Sequence, residues 1–305
     1  MTDQQTALSA LTTLVDSTCQ VLLGKQNQVR LAISCLLAQG HLLIEDTPGT
    51  GKSTLAEALA RGVGLSFKRV SFTSDLLPAD LIGLNLFDQR QSDFRFQPGP
   101  LFTQVLLADE INRASPRTQS ALLEAMAAAR VSVDGTSHVL PRPFFVIATQ
   151  NSLDQVGTSP LPEAQLDRFL MRLSLGHPNR TAERDLLMGQ SRPLEHVQSV
   201  LTPVLLQALQ SKVASLHCSE PLIEYVLDLV QVSRRSGPGL SSRAAQAVLA
   251  ASRAMALLDQ RDYVSVDDVQ AVFPAVAEHR LDAGAPSDAG CPLSAAVLES
   301  VDALR

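Results

Sequence analysis

Residues 44–54 read IEDTPGTGKST and supply, in Gly51, Lys52 and Ser53, the end of the phosphate-loop pattern G-x-x-x-x-G-K-[ST]. In such a loop, backbone N–H groups surround the phosphates, the lysine reaches the β- and γ-phosphates, and the hydroxyl holds Mg²⁺. The first glycine of the pattern is replaced by Asp46, so the alternative is a Gly/Pro turn with a chance G-K-S. We expect Asp46 to lie at the strand exit, outside the phosphate cradle, and to coordinate nothing. Asp is among the few residues other than glycine that tolerate a positive φ, should the position need one.

The residues around this stretch fit a phosphate loop, which needs a strand before it and a helix after it. The run HLLIE (41–45) is apolar and short, and the stretch KSTLAEALA that begins at Lys52 has helical character. Glycines allow the backbone to approach a ligand without a Cβ clash. The candidate nucleotide-binding residues are Thr47, Pro48, Gly49, Thr50, Gly51, Lys52, Ser53 and Thr54.

A second motif, VLLADEIN (105–112), is an apolar run that ends in two carboxylates, Asp109 and Glu110. Beside a phosphate loop, one carboxylate at a strand end holds the metal, usually through water, while the next polarises the attacking water. We therefore expect Ser53 and Asp109 to bind Mg²⁺, and Lys52 and Glu110 to be catalytic. The alternative is an acidic strand terminus at the surface. Two such motifs, in order and each at a strand end, argue against it.

Asn151 follows a third apolar run, FFVIAT (144–149), and is a candidate to contact the γ-phosphate or to position the water. The motif is weak alone, because an asparagine at a strand end is often a turn residue. Further short apolar runs precede and follow it, mostly continuous rather than alternating. This is typical of strands buried between helices in a parallel sheet. The five predicted strands lie at 41–45, 67–72, 104–109, 144–149 and 169–175.

The strand signals stop at GHPN (176–179), and the remaining chain has helical periodicity. One predicted helix ends at Gly237, and another opens with a capping box from Ser265 to Asp268. Pro274 must kink that second helix or begin a new one. A linker at 283–290 and a last amphipathic helix follow. We therefore predict an α/β domain at 1–178 and an all-α domain at 179–305.

Composition describes a globular chain of 305 residues, 45% hydrophobic and 18% charged, with a net charge of −6. An acidic chain without a basic stripe argues against nucleic acid as the main partner, although a single basic pore loop is compatible with a net negative charge. The four cysteines and six histidines have no metal-ligand spacing. The start resembles no signal peptide, and no apolar run approaches membrane-spanning length, so we expect a cytoplasmic protein without membrane insertion.

Two long stretches, ADEINRASPRTQSALLEAM (108–126) and the segment from ATQN to LDRF (148–169), resemble MoxR-type AAA+ ATPases. The resemblance covers nearly the whole chain and implies that Asp46 is a family variant of the loop. It further implies that Arg168 is an arginine finger for a neighbouring subunit and that Arg243 is the lid arginine called sensor 2. The alternatives are an Arg168 paired with Asp167 or Glu163, and a solvated Arg243. Whether Arg243 acts in its own subunit or across the boundary stays open.

The segment VLLGKQNQ (21–28) is similar to the one that covers adenine in this family, where Gly24 would permit close approach. A helix-ending glycine is the alternative. Two inserts, 84–99 and 130–140, are predicted to be β-hairpins, the second because of its Asp-Gly turn. Relatives carry hairpins at both places facing a central pore. Substrate contact, subunit packing and decoration all remain open for them.

The resemblance implies a P-loop AAA+ core, with a parallel sheet sandwiched by helices, followed by an all-α lid. It implies Mg²⁺-dependent ATP hydrolysis in a homo-oligomeric ring, a hexamer, that remodels a protein client or a partner with a von Willebrand factor A domain. The cofactors are then ATP and Mg²⁺. The alternatives are a nucleic-acid-stimulated motor, a chelatase-type motor subunit and an ATP switch that does not hydrolyse.

Overall fold

A computed structural model describes residues 3–151, 158–235, 239–282 and 291–303 of the chain. The strands are β1 (Leu42–Glu45), β2 (Phe67–Ser71), β3 (Gly83–Asp88), β4 (Asp93–Pro98), β5 (Val105–Asp109), β6 (Arg130–Val133), β7 (Thr136–Val139), β8 (Phe145–Gln150) and β9 (Met171–Leu173). The helices are α1 (Asp3–Val21), α2 (Gln26–Leu37), α3 (Lys52–Gly62), α4 (Pro78–Ile82), α5 (Pro116–Ala128), α6 (Glu163–Leu166), α7 (Arg180–Leu187), α8 (Pro203–Ser215), α9 (Glu220–Arg235), α10 (Ser242–Leu258), α11 (Val266–Leu281) and α12 (Pro292–Glu299).

The central sheet contains five parallel strands in the order β2-β5-β8-β1-β9. All five strands predicted from the sequence are present, with ends that differ by one or two residues. The phosphate-loop strand β1 therefore lies in the interior of the sheet, and β5 is separated from it only by β8. The carboxyl ends of these strands meet at one edge, which is where ligands bind in open α/β sheets.

Alternate residues of each interior strand pack into different cores on the two faces of the sheet. Ile44 and Leu107 belong to the core formed with α1, α2, α3 and the helices of the second half. Leu43 and Leu106 belong to the smaller core formed with α4 and α5. Burial on both faces explains why the strands are continuously apolar in the sequence. The predicted α/β core with a parallel sheet between helices is confirmed.

Two antiparallel hairpins project from this core at the two predicted inserts. Strand β3 pairs with β4, and β6 pairs with β7. The second hairpin turns at Asp134 and Gly135, whose φ values of 48° and 79° match the primed turns that favour Asp-Gly. The hairpins touch each other, since the Asn85 side chain donates to the Asp134 carboxylate at 2.8 Å.

Helices α7 to α12 form the second half, in which the described residues include no strand element. The capping box predicted from Ser265 to Asp268 is present at the start of α11. That helix continues through Pro274 to Leu281, so the proline neither ends it nor starts a new one. The predicted end at Gly237 and the linker at 283–290 lie outside the described residues. None of the helices within the described ranges is long and apolar enough to cross a membrane.

Candidate active site

The loop after β1 has the backbone that phosphate binding requires. Gly49 and Gly51 have φ values of 86° and 97°, and Gly51 caps the N-terminus of α3. A Cβ would strain both positions, since only glycine adopts these values readily. Helix α3 is eleven residues long, and the first N–H groups at its N-terminus face the loop. The Thr47 hydroxyl is buried there without a protein partner, which fits a loop built around an added anion.

Lys52 is held over this loop by the loop's own carbonyl groups. Its Nζ donates to the Asp46 and Thr47 oxygens at 2.7 and 3.0 Å, which leaves one of three ammonium donors for a ligand. Burial lowers the pKa of Lys52, while the carboxylates of Asp46, Asp109 and Glu110 act in the opposite direction. An anion in the loop would stabilise the charged lysine further.

The two carboxylates at the end of β5 are organised by Thr149 of the neighbouring strand β8. The Thr149 hydroxyl donates to Asp109 Oδ1 at 2.6 Å and accepts from the Glu110 backbone N–H at 2.9 Å. Glu110 lies in the left-handed region, with φ 56° and ψ 49°, which turns its side chain away from the strand direction. Its carboxylate pairs with Arg113 at 3.0 Å. One buried hydroxyl thus fixes the relative placement of both acidic residues.

A cleft of about 360 Å³ joins the loop to these acids. It is lined by Pro48, Gly49, Gly51, Lys52, Ser53, Thr54, Arg69, Asp109, Glu110 and Asn151. Five residues predicted for catalysis or metal binding (Lys52, Ser53, Asp109, Glu110, Asn151) therefore converge in it. Hydroxyl and carboxylate oxygens are the ligands that Mg²⁺ prefers, so the side chains of Ser53 and Asp109 suit that ion.

Arg69 of strand β2 is a cleft residue that sequence reasoning missed. Its Nη2 lies 2.5 Å from Asp109 Oδ2, and about half of its side chain is exposed. The order β2-β5 in the sheet brings Arg69 beside Asp109, and no pattern within the run FKRVSF predicts that pairing. Thr149 was missed as well. The signal available in the sequence was that it is a polar residue within the apolar run FFVIAT.

Asp46 does contact other groups, which corrects our expectation that it coordinates nothing. It is 7% exposed, and its carboxylate accepts from the N–H groups of Thr47 at 2.9 Å and Gly176 at 2.6 Å. Asp46 is not among the residues with positive φ, so the position needs no glycine. The carboxylate instead ties the phosphate loop to the chain that leaves β9 for α7.

Lys25 also holds this exit segment. Its ammonium donates to the carbonyls of Leu175, Gly176 and His177 at 2.5, 2.9 and 2.7 Å, and the residue is 5% exposed. Burial lowers the pKa of Lys25, and Asp46 opposes that shift. Asp46 and Lys25 therefore clamp residues 175–177, the connection between the sheet and the following helices.

Gly24 and the loop residue Thr50 do not line the cleft. A Cβ on Gly24 would come within 2.7 Å of the Ala182 Cβ of α7, so the glycine permits close packing of α7. Its neighbour Leu22 contacts the loop, because a Cβ on Gly51 would lie 2.8 Å from Leu22 Cδ2. The hydroxyl of Thr50 is turned to the Thr47 carbonyl at 3.2 Å.

Arg168 and Arg243 do not line the cleft of their own chain. Arg168 is exposed and donates to the Leu123 carbonyl at 2.5 Å. Asp167, the partner considered for Arg168, instead pairs with Arg280 at 2.7 Å and Arg243 at 3.3 Å. The structure thus pairs Arg243 with Asp167, the residue next to Arg168 in the chain, and neither arginine lines the cleft at the phosphate loop.

Comparisons with known proteins agree with the observed fold. A profile of the ATPase family associated with various cellular activities (AAA) matches residues 41–171, and one of the AAA lid domain matches 232–301. The chain is similar to the uncharacterized protein YeaC of Bacillus subtilis, with 44% identity over 86% of this chain and 83% of that protein.

Two further similarities extend the comparison to named and solved proteins. Chaperone MoxR1 of Mycobacterium tuberculosis is 38% identical over 86% of this chain and 73% of its own length. The crystal structure of a candidate ATPase from Cytophaga hutchinsonii has a TM-score of 0.87 and 30% identity, covering 99% of this chain and 97% of that one. The chain therefore belongs to the MoxR family of AAA ATPases and has its α/β core and helical lid.

Proposed function

We propose that this ATPase hydrolyses ATP with Mg²⁺ in a hexameric ring and uses the energy to remodel a partner protein. The observation that carries the proposal is the convergence of Lys52, Ser53, Asp109, Glu110 and Asn151 in one cleft beside a glycine loop and a helix N-terminus. Phosphoryl transfer needs little covalent chemistry from a protein, and this cleft supplies what it does need, positioning and charge.

Each residue then has a separate task. Lys52 and the loop N–H groups bind the β- and γ-phosphates, and Asn151 orients the γ-phosphate or the water. Glu110 accepts a hydrogen bond from the attacking water and aligns it, with its backbone held by Thr149. Ser53 and Asp109 would hold Mg²⁺, which when bound neutralises phosphate charge. The segment 21–28 would cover the adenine.

Among the described residues that line the cleft, the only arginine is Arg69, and it is paired with Asp109. Arg168 precedes β9, and β9 begins opposite Leu42, at the start of β1. The phosphate loop follows the other end of β1, so the strand alone separates them by roughly 13 Å at about 3.3 Å per residue. This separation supports a role for Arg168, and for Arg243 beside it, in the site of a neighbouring subunit.

Remodelling of a protein is supported by a relative and by exposed apolar residues. The Mycobacterium tuberculosis relative is named a chaperone. The hairpin β3–β4 carries Phe87 and Phe94, which are 55% and 65% exposed. We propose that a protein client, or a partner with a von Willebrand factor A domain, meets the ring there. We also propose a core at 1–178 and a lid at 179–305, since the sheet ends at β9 and Asn179 caps the first lid helix.

Turnover measured against protein concentration tests the proposal. If neighbouring chains complete each site, ATP turnover per chain should rise with concentration and level off when mass measurements show the ring assembled. Lys52→Ala protein is the control for contaminating ATPases. Constant turnover per chain at concentrations where the protein is monomeric would overturn the ring requirement. Turnover stimulated by DNA, and falling steeply with salt, would instead support a nucleic-acid motor.

A further inference from the structure

A single lid arginine, Arg280, binds the backbone on both sides of Arg168. We call residues 167–170 the finger turn, because they carry Arg168 between α6 and β9. Arg280 Nε donates to the Asp167 carboxylate at 2.7 Å. Its Nη2 donates to the carbonyls of Asp167 at 3.3 Å and Phe169 at 2.8 Å, and its Nη1 donates to Leu170 at 3.3 Å. The guanidinium thus donates hydrogen bonds to four acceptors in the finger turn.

The chemistry of Arg280 suits it to fix a backbone rather than to bind a ligand. Its side chain is 6% exposed, so it reaches no solvent cleft. Only arginine offers five N–H donors in a rigid fork, and a lysine at 280 would present three donors from a single point. The finger turn has no regular secondary structure, and three of its four carbonyls (Asp167, Phe169 and Leu170) accept hydrogen bonds from this fork.

The same end of helix α11 also reaches the strand that precedes the phosphate loop. Asp282, two residues after Arg280, pairs with the buried Arg172 of β9. Arg172 in turn pairs with Glu45 at 3.2 Å, and Glu45 is the last residue of β1. The end of α11 is therefore in contact with the finger turn and, through Arg172, with the strand that leads into the subunit's own nucleotide loop.

We propose that Arg280 is a positioning residue that presents Arg168 to the neighbouring subunit. The position of the lid in one subunit then controls where the Arg168 of that subunit is placed in the active site of its neighbour. The inference rests on the proposed action of Arg168 across the subunit boundary. It predicts that removing Arg280 damages the neighbour's site and spares the subunit's own ATP binding.

Mixing variants of the full-length chain separates this role from the others. We expect Arg280→Gln to bind a fluorescent ATP analogue within threefold of the parent and to lose at least 30-fold in turnover. Mixed with Glu110→Gln under subunit exchange, it should regain activity, because it keeps its own Glu110 and receives an intact arginine from its neighbour. Mixed with Arg168→Ala, it should stay inactive, since neither partner then supplies a well-placed arginine.

The opposite pattern overturns the inference. If Arg280 served its own subunit's site, the mixture with Arg168→Ala would regain activity and the mixture with Glu110→Gln would not. Failure of both Arg280→Gln mixtures overturns it as well, provided that the reference mixture of Arg168→Ala with Glu110→Gln is active. If that reference is also silent, while wild type diluted with either of its two variants loses activity only in proportion, the proposed trans role of Arg168 fails first, and the role of Arg280 falls with it.

Two further measurements exclude a general loss of structure. Arg280→Lys keeps the charge and loses the fork, so it should give the same mixing pattern with a smaller loss of turnover. Arg30→Ala is the matched control, because Arg30 of α2 also bridges to the lid, at Asp259 (2.5 Å), without touching the finger turn. Amide hydrogen exchange of residues 167–170 should accelerate in both Arg280 variants and not in Arg30→Ala. Unchanged exchange in the Arg280 variants contradicts the inference.

Discussion

The contacts of Asp46 predict that restoring the usual glycine of the pattern will destabilise this protein. Asp46→Gly removes the carboxylate that accepts from the N–H groups of Thr47 and Gly176 at 2.9 and 2.6 Å. Because Asp46 is 7% exposed, water replaces these bonds poorly. A hydrogen bond to a charged group contributes about 1.5 kcal/mol or more, so the two together contribute about 3 kcal/mol. The substitution also removes the carboxylate that stabilises the charged form of Lys25.

The loss is large enough to measure as a change in melting temperature. Unfolding entropy is about 2.1 cal/mol/K per residue, or about 0.64 kcal/mol/K for a chain of this length, so 3 kcal/mol lowers Tm by about 5 °C. Calorimetry or a dye-based melt without nucleotide provides the assay. Asp262→Gly is the matched control, because Asp262 is exposed, and it should change Tm by no more than about 1 °C.

The contact between Asp46 and Gly176 also predicts which part of the protein loosens. Amides of residues 174–177 should exchange faster in Asp46→Gly, while those of β5 should not. A Tm within 1 °C of the parent would refute the reasoning, because it would mean that the carboxylate contributes nothing to the clamp on this segment.

Three further predictions concern the cleft and acid stability. Lys52→Ala should weaken binding of a fluorescent ATP analogue by at least 100-fold. Unchanged affinity would show that the loop does not bind the phosphates of ATP. Glu110→Gln should bind the analogue like the parent but lose about 10²-fold or more in turnover, because it removes the group that polarises the water. Burial lowers the pKa of His41 to about 4, so between pH 6.5 and 4 the unfolded chain binds the proton that the folded chain excludes. The free energy of unfolding should therefore fall by about 1.4 kcal/mol per pH unit below 6.5, and urea titrations of the parent and of His41→Gln should differ by that slope.

Elements of the sheet and the cleft were predictable because local patterns encode them. The strand-end position of Asp109 and Glu110 follows from a continuous apolar run, and the hairpin turn at Asp134 follows from Asp-Gly chemistry. The prediction that Lys52 and the acids share a cleft required only the rule that parallel strands end at a common edge. In the structure, Lys52, Asp109 and Glu110 line one cleft.

The residues that sequence reasoning missed are defined by contacts between distant segments. Lys25 meets residues 175–177 only after the chain has formed the whole sheet, and no local pattern marks a lysine as buried. Arg280 is 113 residues from Asp167, and its neighbours in sequence form an ordinary helix end. The expectation for Asp46 failed for the same reason, since its partner at Gly176 is 130 residues away.

The most direct test of the composite site mixes two inactive proteins, Glu110→Gln and Arg168→Ala, in varied proportions under subunit exchange. Each should bind ATP and hydrolyse almost none, because an arginine finger contributes on the order of a thousand-fold to the rate. An Arg168→Ala subunit keeps its own Glu110. When its neighbour is a Glu110→Gln subunit, that neighbour supplies an intact Arg168, so one complete site is rebuilt.

The account predicts activity that peaks near equal proportions of the two variants. Strict coupling around the ring could also silence the mixture, so wild type diluted with either variant is the control. Under strict coupling, that dilution loses activity far faster than in proportion. A mixture that stays silent at every ratio, while diluted wild type loses activity only in proportion, would contradict the claim that Arg168 completes a neighbour's site.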